Sequence, residues 1–338
     1  MNTRIVTSAL LALGLVTLAG TAPAHAAVGA LPEGQTMYAI SCDNGPTESP
    51  VNSGTLFSID PTTAALTRVG DGTVGLNNSG CAGQGAVNPV DGTYYYLSWD
   101  FPGVMNALAV MDLETGESTL VGPLSYNGTP FVNSYAIAID SAGNAVLTSR
   151  IPGEDVVGLF ALNLTDGTTE LIGTIADGTN GQRRPYALSF DNSDRLFAVD
   201  SSNSNELLEI STVDGSIVSS STELSDLGGI YTMAFDADNT LWMQSDVELV
   251  SASITDLSTR SELLQFTISG YPNYGYFTES IVIAGSGPAP TEEEEPETGG
   301  VTELADTGAG NTTAIAGYAL GGIALALIAT RTARRTRA

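Results

Sequence analysis

The chain has 338 residues, 38 acidic side chains, 11 basic ones that are all arginine, one histidine and a formal net charge of −27. So acidic a balance argues against nucleic-acid binding, which needs cations to neutralise phosphates. With no lysine there is no Schiff-base chemistry and no nucleophile for internal isopeptide bonds or a polymerised pilin shaft, so a pilus backbone subunit is excluded.

The first 26 residues read as a secretory signal peptide: Arg4 supplies the charge, Ile5 to Ala19 the apolar stretch, and Ala24-His25-Ala26 the small-x-small cleavage site. His25 is the only histidine and leaves with that segment. A Ser-His-Asp triad, a Cys-His pair, a histidine-ligated zinc and an imidazole acid or base are therefore all absent from the exported chain. Between Ala27 and Thr307 six arginines face all 38 acids, a net charge of −32. Such a surface keeps an exported protein from self-associating. No cofactor or metal is expected. Asp236-Ala237-Asp238-Asn239 is the best carboxylate cluster for Ca²⁺, but it lacks the Asp-x-Asp-x-Asp-Gly loop with its distant Glu. Cys42 and Cys81, the only cysteines, are expected to pair in an exported protein. The loop between them would contribute about 4 kcal/mol in the chain-entropy view.

From Ala30 to about Gly285 one pattern repeats, and the repeat decides the fold class. Short strands ending in an acid or polar residue begin at Leu56, Leu108, Leu159 and Leu207, with a degenerate copy from Leu249. Glu114-Thr115-Gly116, Asp166-Gly167 and Asp214-Gly215 follow as turns, where glycine accepts a positive φ. Another hairpin precedes each pair: Ala136–Asp140, Ala187–Asp191 and Thr232–Asp236 run into Ala145–Leu147, Leu196–Val199 and Leu241–Met243. Four short antiparallel strands per ~40–50 residues are the mark of a β-propeller blade. The outermost strands, Leu66–Val69, Leu120-Val121, Leu171-Ile172, Ile217-Val218 and Leu263-Leu264, number five. The domain over 27–285 is thus expected to be an all-β, five-bladed propeller. Its ends close the ring: Met37–Ile40 lacks an inner strand, and Glu279–Ile283 is an inner strand without a blade. Cys42 and Cys81 would then staple the seam blade to its neighbour.

Residues 286–303, with Pro288, Pro290 and the run Glu292–Glu295, read as an extended stalk. Beyond it Leu304-Ala305-Asp306-Thr307-Gly308 precedes an apolar run over 314–330 and four arginines within 331–338. That run is near the minimum length for a bilayer-spanning helix, and the arginines would hold its end in the cytoplasm. The three-part tail closely resembles the cell-wall sorting signal of Gram-positive bacteria. The resemblance implies a sortase that cleaves between Thr307 and Gly308 and joins Thr307 to peptidoglycan, with the membrane held only transiently. Ala305 stands where the commonest motif has proline, which implies the sortase class of high-GC Gram-positive bacteria.

Strand order places the long loops on one face and tight turns on the other. The long loops carry Tyr126 and Asn127, the pair Arg183-Arg184, and Tyr271, Asn273 and Tyr274. Aromatic rings with amide groups suit a glycan, and the arginine pair suits a carboxylate or phosphate. These residues are the candidate ligand site of a surface binding or adhesion module, without catalysis. The alternatives are a glycoside hydrolase working with carboxylates alone, and a structural spacer without a ligand. For the hydrolase, Trp99-Asp100 and Asp200 lie near the long-loop face. Asp140, Asp191 and Asp236 recur identically at the short-turn face, where aspartate commonly bonds its own turn.

Overall fold

Each copy of the repeat folds as an antiparallel sheet. The structure, a computed structural model, describes residues 30–41, 54–70, 82–101, 104–176, 183–268 and 280–285. The signal segment, both cysteines, Tyr271, Asn273, Tyr274, the stalk and the sorting motif lie outside these residues. So does the expected membrane span over 314–330. Among the described residues no helix is long and apolar enough to cross a membrane.

The chain opens with β1 (Thr36–Ile40), β2 (Leu56–Asp60) and β3 (Ala65–Arg68) of blade one. Blade two is β4 (Ala82–Val87), β5 (Tyr94–Phe101), β6 (Val104–Met111) and β7 (Ser118–Pro123). A small hairpin, β8 (Ser125–Tyr126) and β9 (Thr129–Pro130), leads to β10 (Ser134–Ile139), β11 (Ala145–Arg150), β12 (Val157–Leu162) and β13 (Thr168–Thr174) of blade three. Blade four is β14 (Pro185–Phe190), β15 (Leu196–Asp200), β16 (Glu206–Ile210) and β17 (Ile217–Ser221). Blade five is β18 (Ile230–Phe235), β19 (Thr240–Ser245), β20 (Glu248–Ser253), β21 (Asp256–Arg260) and β22 (Leu264–Gln265), followed by β23 (Thr267–Ile268) and β24 (Val282–Ala284).

The ring closes as the sequence implies. β24 pairs with β1, Thr36 opposite Ala284 and Tyr38 opposite Val282, and so becomes the inner strand of blade one. Closure removes two open sheet edges. In blade five the expected outer strand at Leu263-Leu264 is only half of the edge: β21 and β22 both pair with β20, one at each end of it. The register slip between Ala252 and Ser253, with Ser261 bonded to Ser251, breaks this edge into two pieces.

Five apolar clusters fill the five seams between blades. Phe57 and Met37 of blade one meet Trp242 and Leu249 of blade five, and Leu159 of blade three meets Leu188 and Leu208 of blade four. Both faces of a blade are therefore covered, which is why β10 is buried at every position and its sequence lacks polar alternation. Along the outer seams, paired glycines let main chains touch. A Cβ on Gly122 would collide with the carbonyl of Asp166, and one on Gly173 with that of Asp214. The glycines ending Leu120-Val121-Gly122 and Leu171-Ile172-Gly173 thus sit under the Asp-Gly turn of the next blade.

Candidate functional site

The inner strands run toward the tight-turn face, and there they enclose a cavity of ≈ 770 Å³. All five blades line it, through Val87, Ile139, Phe190, Phe235 and Ile283 of the inner strands. Its inner end is held by Gln84, which is 2% exposed and lies in a register break of β4 between Gly83 and Ala86. The Gln84 amide reaches across the hub. Its Nε2 donates to the carbonyls of Leu188 (2.6 Å) and Met233 (2.9 Å), and its Oε1 accepts the amide of Leu188 (2.6 Å). One side chain of blade two thereby ties blades four and five together. Beside it Ser280 Oγ accepts the Gly85 amide at 2.8 Å and meets the Tyr94 hydroxyl at 2.6 Å, which fixes blade one to blade two. Burial pushes the Tyr94 phenol far above the ordinary tyrosine range.

The rim is made of turns, and its carboxylates are committed to them. Asp236 Oδ1 accepts the amides of Asp238 and Thr240, and its Oδ2 accepts the Trp242 indole N–H at 2.8 Å. Asp191 Oδ1 accepts the amides of Ser193 and Arg195, and Oδ2 is paired with the Arg195 guanidinium at 2.6 Å. Asp140 accepts from Ala142 and Asn144 in the same way. The three recurring aspartates thus bond their own turns, as their identical placement implies. Asp194 of blade four accepts the amide and hydroxyl of Ser141 from blade three. Among the described residues no group of three or more His, Cys, Asp or Glu is placed to hold a metal.

Of the residues singled out on the long-loop side, the described ones, Tyr126, Asn127, Arg183 and Arg184, fall in two separate places. Tyr126 and Asn127 belong to the β8–β9 hairpin, which adds to the outer edge of blade three: β8 runs parallel to β13. Asn127 and Gly128 both have positive φ, the conformation of a tight two-residue hairpin turn. The Tyr126 ring packs edge-on against Phe160 at 5.3 Å, and Asn127 is exposed. β23 covers the edge of blade one by the same parallel addition to β3. Arg183 instead stands before the inner strand of blade four, 9% exposed. Its guanidinium is paired with Asp200 (3.4 Å) and with Glu206, which face each other across β15 and β16. Asp200 is fully buried and also accepts the Arg184 amide at 3.1 Å and the Ser202 hydroxyl at 2.6 Å. Burial works to raise the Glu206 carboxyl, but hydrogen bonds from Arg183, Ser220 and Asn203 prevail and hold it below the ordinary range. Arg183 is therefore engaged within the blade, in contrast to the ligand-facing role expected of it. The side chains of Trp99 and Asp100 lie outside the described part.

Two further features at this end carry a sequence signal of their own. Tyr135, Tyr186 and Tyr231 each take the second position of an inner strand, at a register irregularity of the ladder. They form an arc across three blades, with edge-on centroid separations of 5.1 and 6.3 Å. Asn106, the third residue of β6, and Asn205, just before β16, both have positive φ. Each binds the connector beside it: Asn106 Nδ2 donates to Phe131 and Val132, and Asn205 Nδ2 donates to Leu227 and Gly228.

No protein-family model and no curated protein matches the chain. Among solved structures it is similar to a provisionally assigned gluconolactonase, 13% identical over 76% of this chain and 88% of that one, with TM-score 0.46. A gluconolactonase from Xanthomonas campestris is 13% identical over 58% of this chain and 77% of its own, with TM-score 0.37. Virginiamycin B lyase from Staphylococcus aureus is 12% identical over 60% of each chain, with TM-score 0.35. At such values the likenesses say nothing of chemistry here. The chain is thus defined by its own strand pairing, as a five-bladed β-propeller.

Proposed function

We propose that this protein is exported, joined to peptidoglycan by a sortase, and displays its propeller as a surface binding module. The observation that carries this reading is the tail, in which Leu304–Gly308, the apolar run over 314–330 and the arginines of 331–338 stand in the order that sorting requires. Thr307 supplies the carbonyl that a sortase cysteine attacks and Gly308 the leaving amine. The ring is complete at β24, so the segment after Gly285 is not needed to finish the fold. Mass spectrometry of muramidase-released wall fragments tests the reading. A peptide ending at Thr307 and joined to a stem peptide is expected. Thr307→Ala should leave an intact membrane-held precursor, whereas deletion of 314–338 should release the protein into the medium. Recovery of full-length chains alone, extracted from membranes by detergent, would overturn it.

A hydrolase working with carboxylates alone is the second reading; at the long-loop end Asp200 and Glu206 stand opposite each other, both paired with Arg183. Carboxylates suffice for glycoside hydrolysis without histidine. Assays on arabinan, fructan and xylan oligosaccharides, with Asp200→Asn and Glu206→Gln as controls, decide it: turnover lost in either variant would displace the binding-only reading.

A further inference from the structure

We infer that the cavity on the tight-turn face is a binding site for a neutral saccharide, on the side of the ring opposite the long loops. The inference rests on the binding-module reading and gives it a place and a ligand chemistry. The first support is the main chain. Leu188 turns both its N–H and its C=O toward the hub, where Gln84 takes them, and Met233 turns its C=O there too. In an antiparallel ladder such inward groups recur every second residue. By that alternation Phe190 and Phe235, two positions along, and Ile139 in blade three turn their main-chain groups toward the cavity they line, the Phe190 carbonyl also accepting the Ser189 hydroxyl at 3.3 Å. Alternating donors and acceptors around a ring suit hydroxyl and amide groups rather than an ion.

Rim side chains point to the same class. Gln35 Oε1 accepts the Ala237 amide at 3.1 Å, which fixes the amide group and leaves Nε2 to donate. Asn88 Oδ1 accepts the Val90 amide at 3.0 Å, again leaving the NH₂ end. Asn192 donates through Nδ2 to the Ala237 carbonyl at 2.8 Å, leaving Oδ1 to accept. Three amides are thus each anchored by one end and offer the other, already ordered before a ligand arrives, which lowers the entropy cost of binding. Charge on the rim disfavours an anion. Among the described residues no arginine lines the cavity, and the carboxylates of Asp191, Asp194 and Asp236 accept hydrogen bonds from turn amides, hydroxyls, an indole and Arg195. The volume of ≈ 770 Å³ lies within the range of small-ligand sites.

The test titrates the full chain, kept in mild detergent, with tri-N-acetylchitotriose and separately with maltotriose, following backbone amide signals and heat of binding. Saturable binding of either sugar is expected, with the amides of Ile139, Phe190 and Phe235 shifting most. Gln35→Ala combined with Asn192→Ala, both at the solvent edge, should weaken it at least tenfold. The wild-type shift map stands whether or not that variant folds. Absence of binding by both sugars at millimolar concentration would overturn the inference. Shifts confined to Arg184, Tyr186 and Tyr231 would also overturn it, while leaving the binding-module reading intact.

Discussion

Replacing Gln84 with leucine probes the hub directly. The two side chains have similar volume, so packing changes little while three hydrogen bonds disappear, two to Leu188 and one to Met233. At about 1 kcal/mol net for each bond, the loss is about 3 kcal/mol. The groups left behind are main-chain polar groups beside an apolar side chain, and water entering from the cavity would offset part of their exposure cost. In a domain of this size each kcal/mol moves the thermal midpoint by about 2–4 °C. The expected fall is therefore about 6–12 °C. Melting followed by circular dichroism gives the midpoint, and hydrogen exchange reads the Leu188 amide, which should lose protection along with its Gln84 acceptor. A fall below about 2 °C with the Leu188 amide still protected would refute the reasoning, because the hub would then be held without the amide bridge.

Arg183→Met should cost about 3–5 kcal/mol at neutral pH, since it leaves Asp200 and Glu206 buried without their cation. Glu206 is held below its ordinary range in the folded protein, so its contribution is present above the unfolded value and is lost as pH falls through the folded one. Urea midpoints at pH 7 and pH 4 should therefore show the gap between wild type and variant narrowing in acid; a gap of constant size would contradict the pairing. Gly173→Ala should destabilise by about 2 kcal/mol or more, because the added Cβ meets the Asp214 main chain, and denaturant unfolding measures it. Asp236→Asn should cost about 1–3 kcal/mol, as one end of the amide can no longer accept from the Trp242 indole. Its effect should appear in unfolding and as a change in tryptophan fluorescence.

The blade count and the closure at β24 were legible in the sequence because both are properties of repeated apolar strands and turn residues. The turn-bonding of Asp140, Asp191 and Asp236 was legible for a related reason: three equal residues at three equal places do one structural job. Gln84 was not. It is a single residue in a short glycine-rich strand, and its partners lie 104 and 149 positions away. The cavity escaped too, because what faces it is largely main chain, which leaves no mark on residue type. Arg183 looked ligand-facing beside a glycine and amide loop, and only the fold brings Asp200 and Glu206 to it. The edge-covering strands β8 and β23 are two residues long, shorter than any periodic pattern can reveal. The tyrosine arc was readable, since Tyr135, Tyr186 and Tyr231 each stand one residue into an inner strand.

Gly285 is the last described residue, follows β24 and sits among the residues lining the cavity mouth. A pull transmitted through the chain beyond it enters the ring at its axle rather than its perimeter. Directed away from the tight-turn face, such a pull runs along β24 and slides that strand past β1. The ladder pairs Thr36–Ala284, Met37–Ile283 and Tyr38–Val282 then share the load instead of parting one after another. Thr232, bonded to the Ile281 amide at 2.8 Å, adds a rung from the neighbouring blade. Resistance to drag is a rate of rupture, set by the barrier for this single strand to slip. The strand that closes the ring is thus also the one that would decide how long it holds under tension.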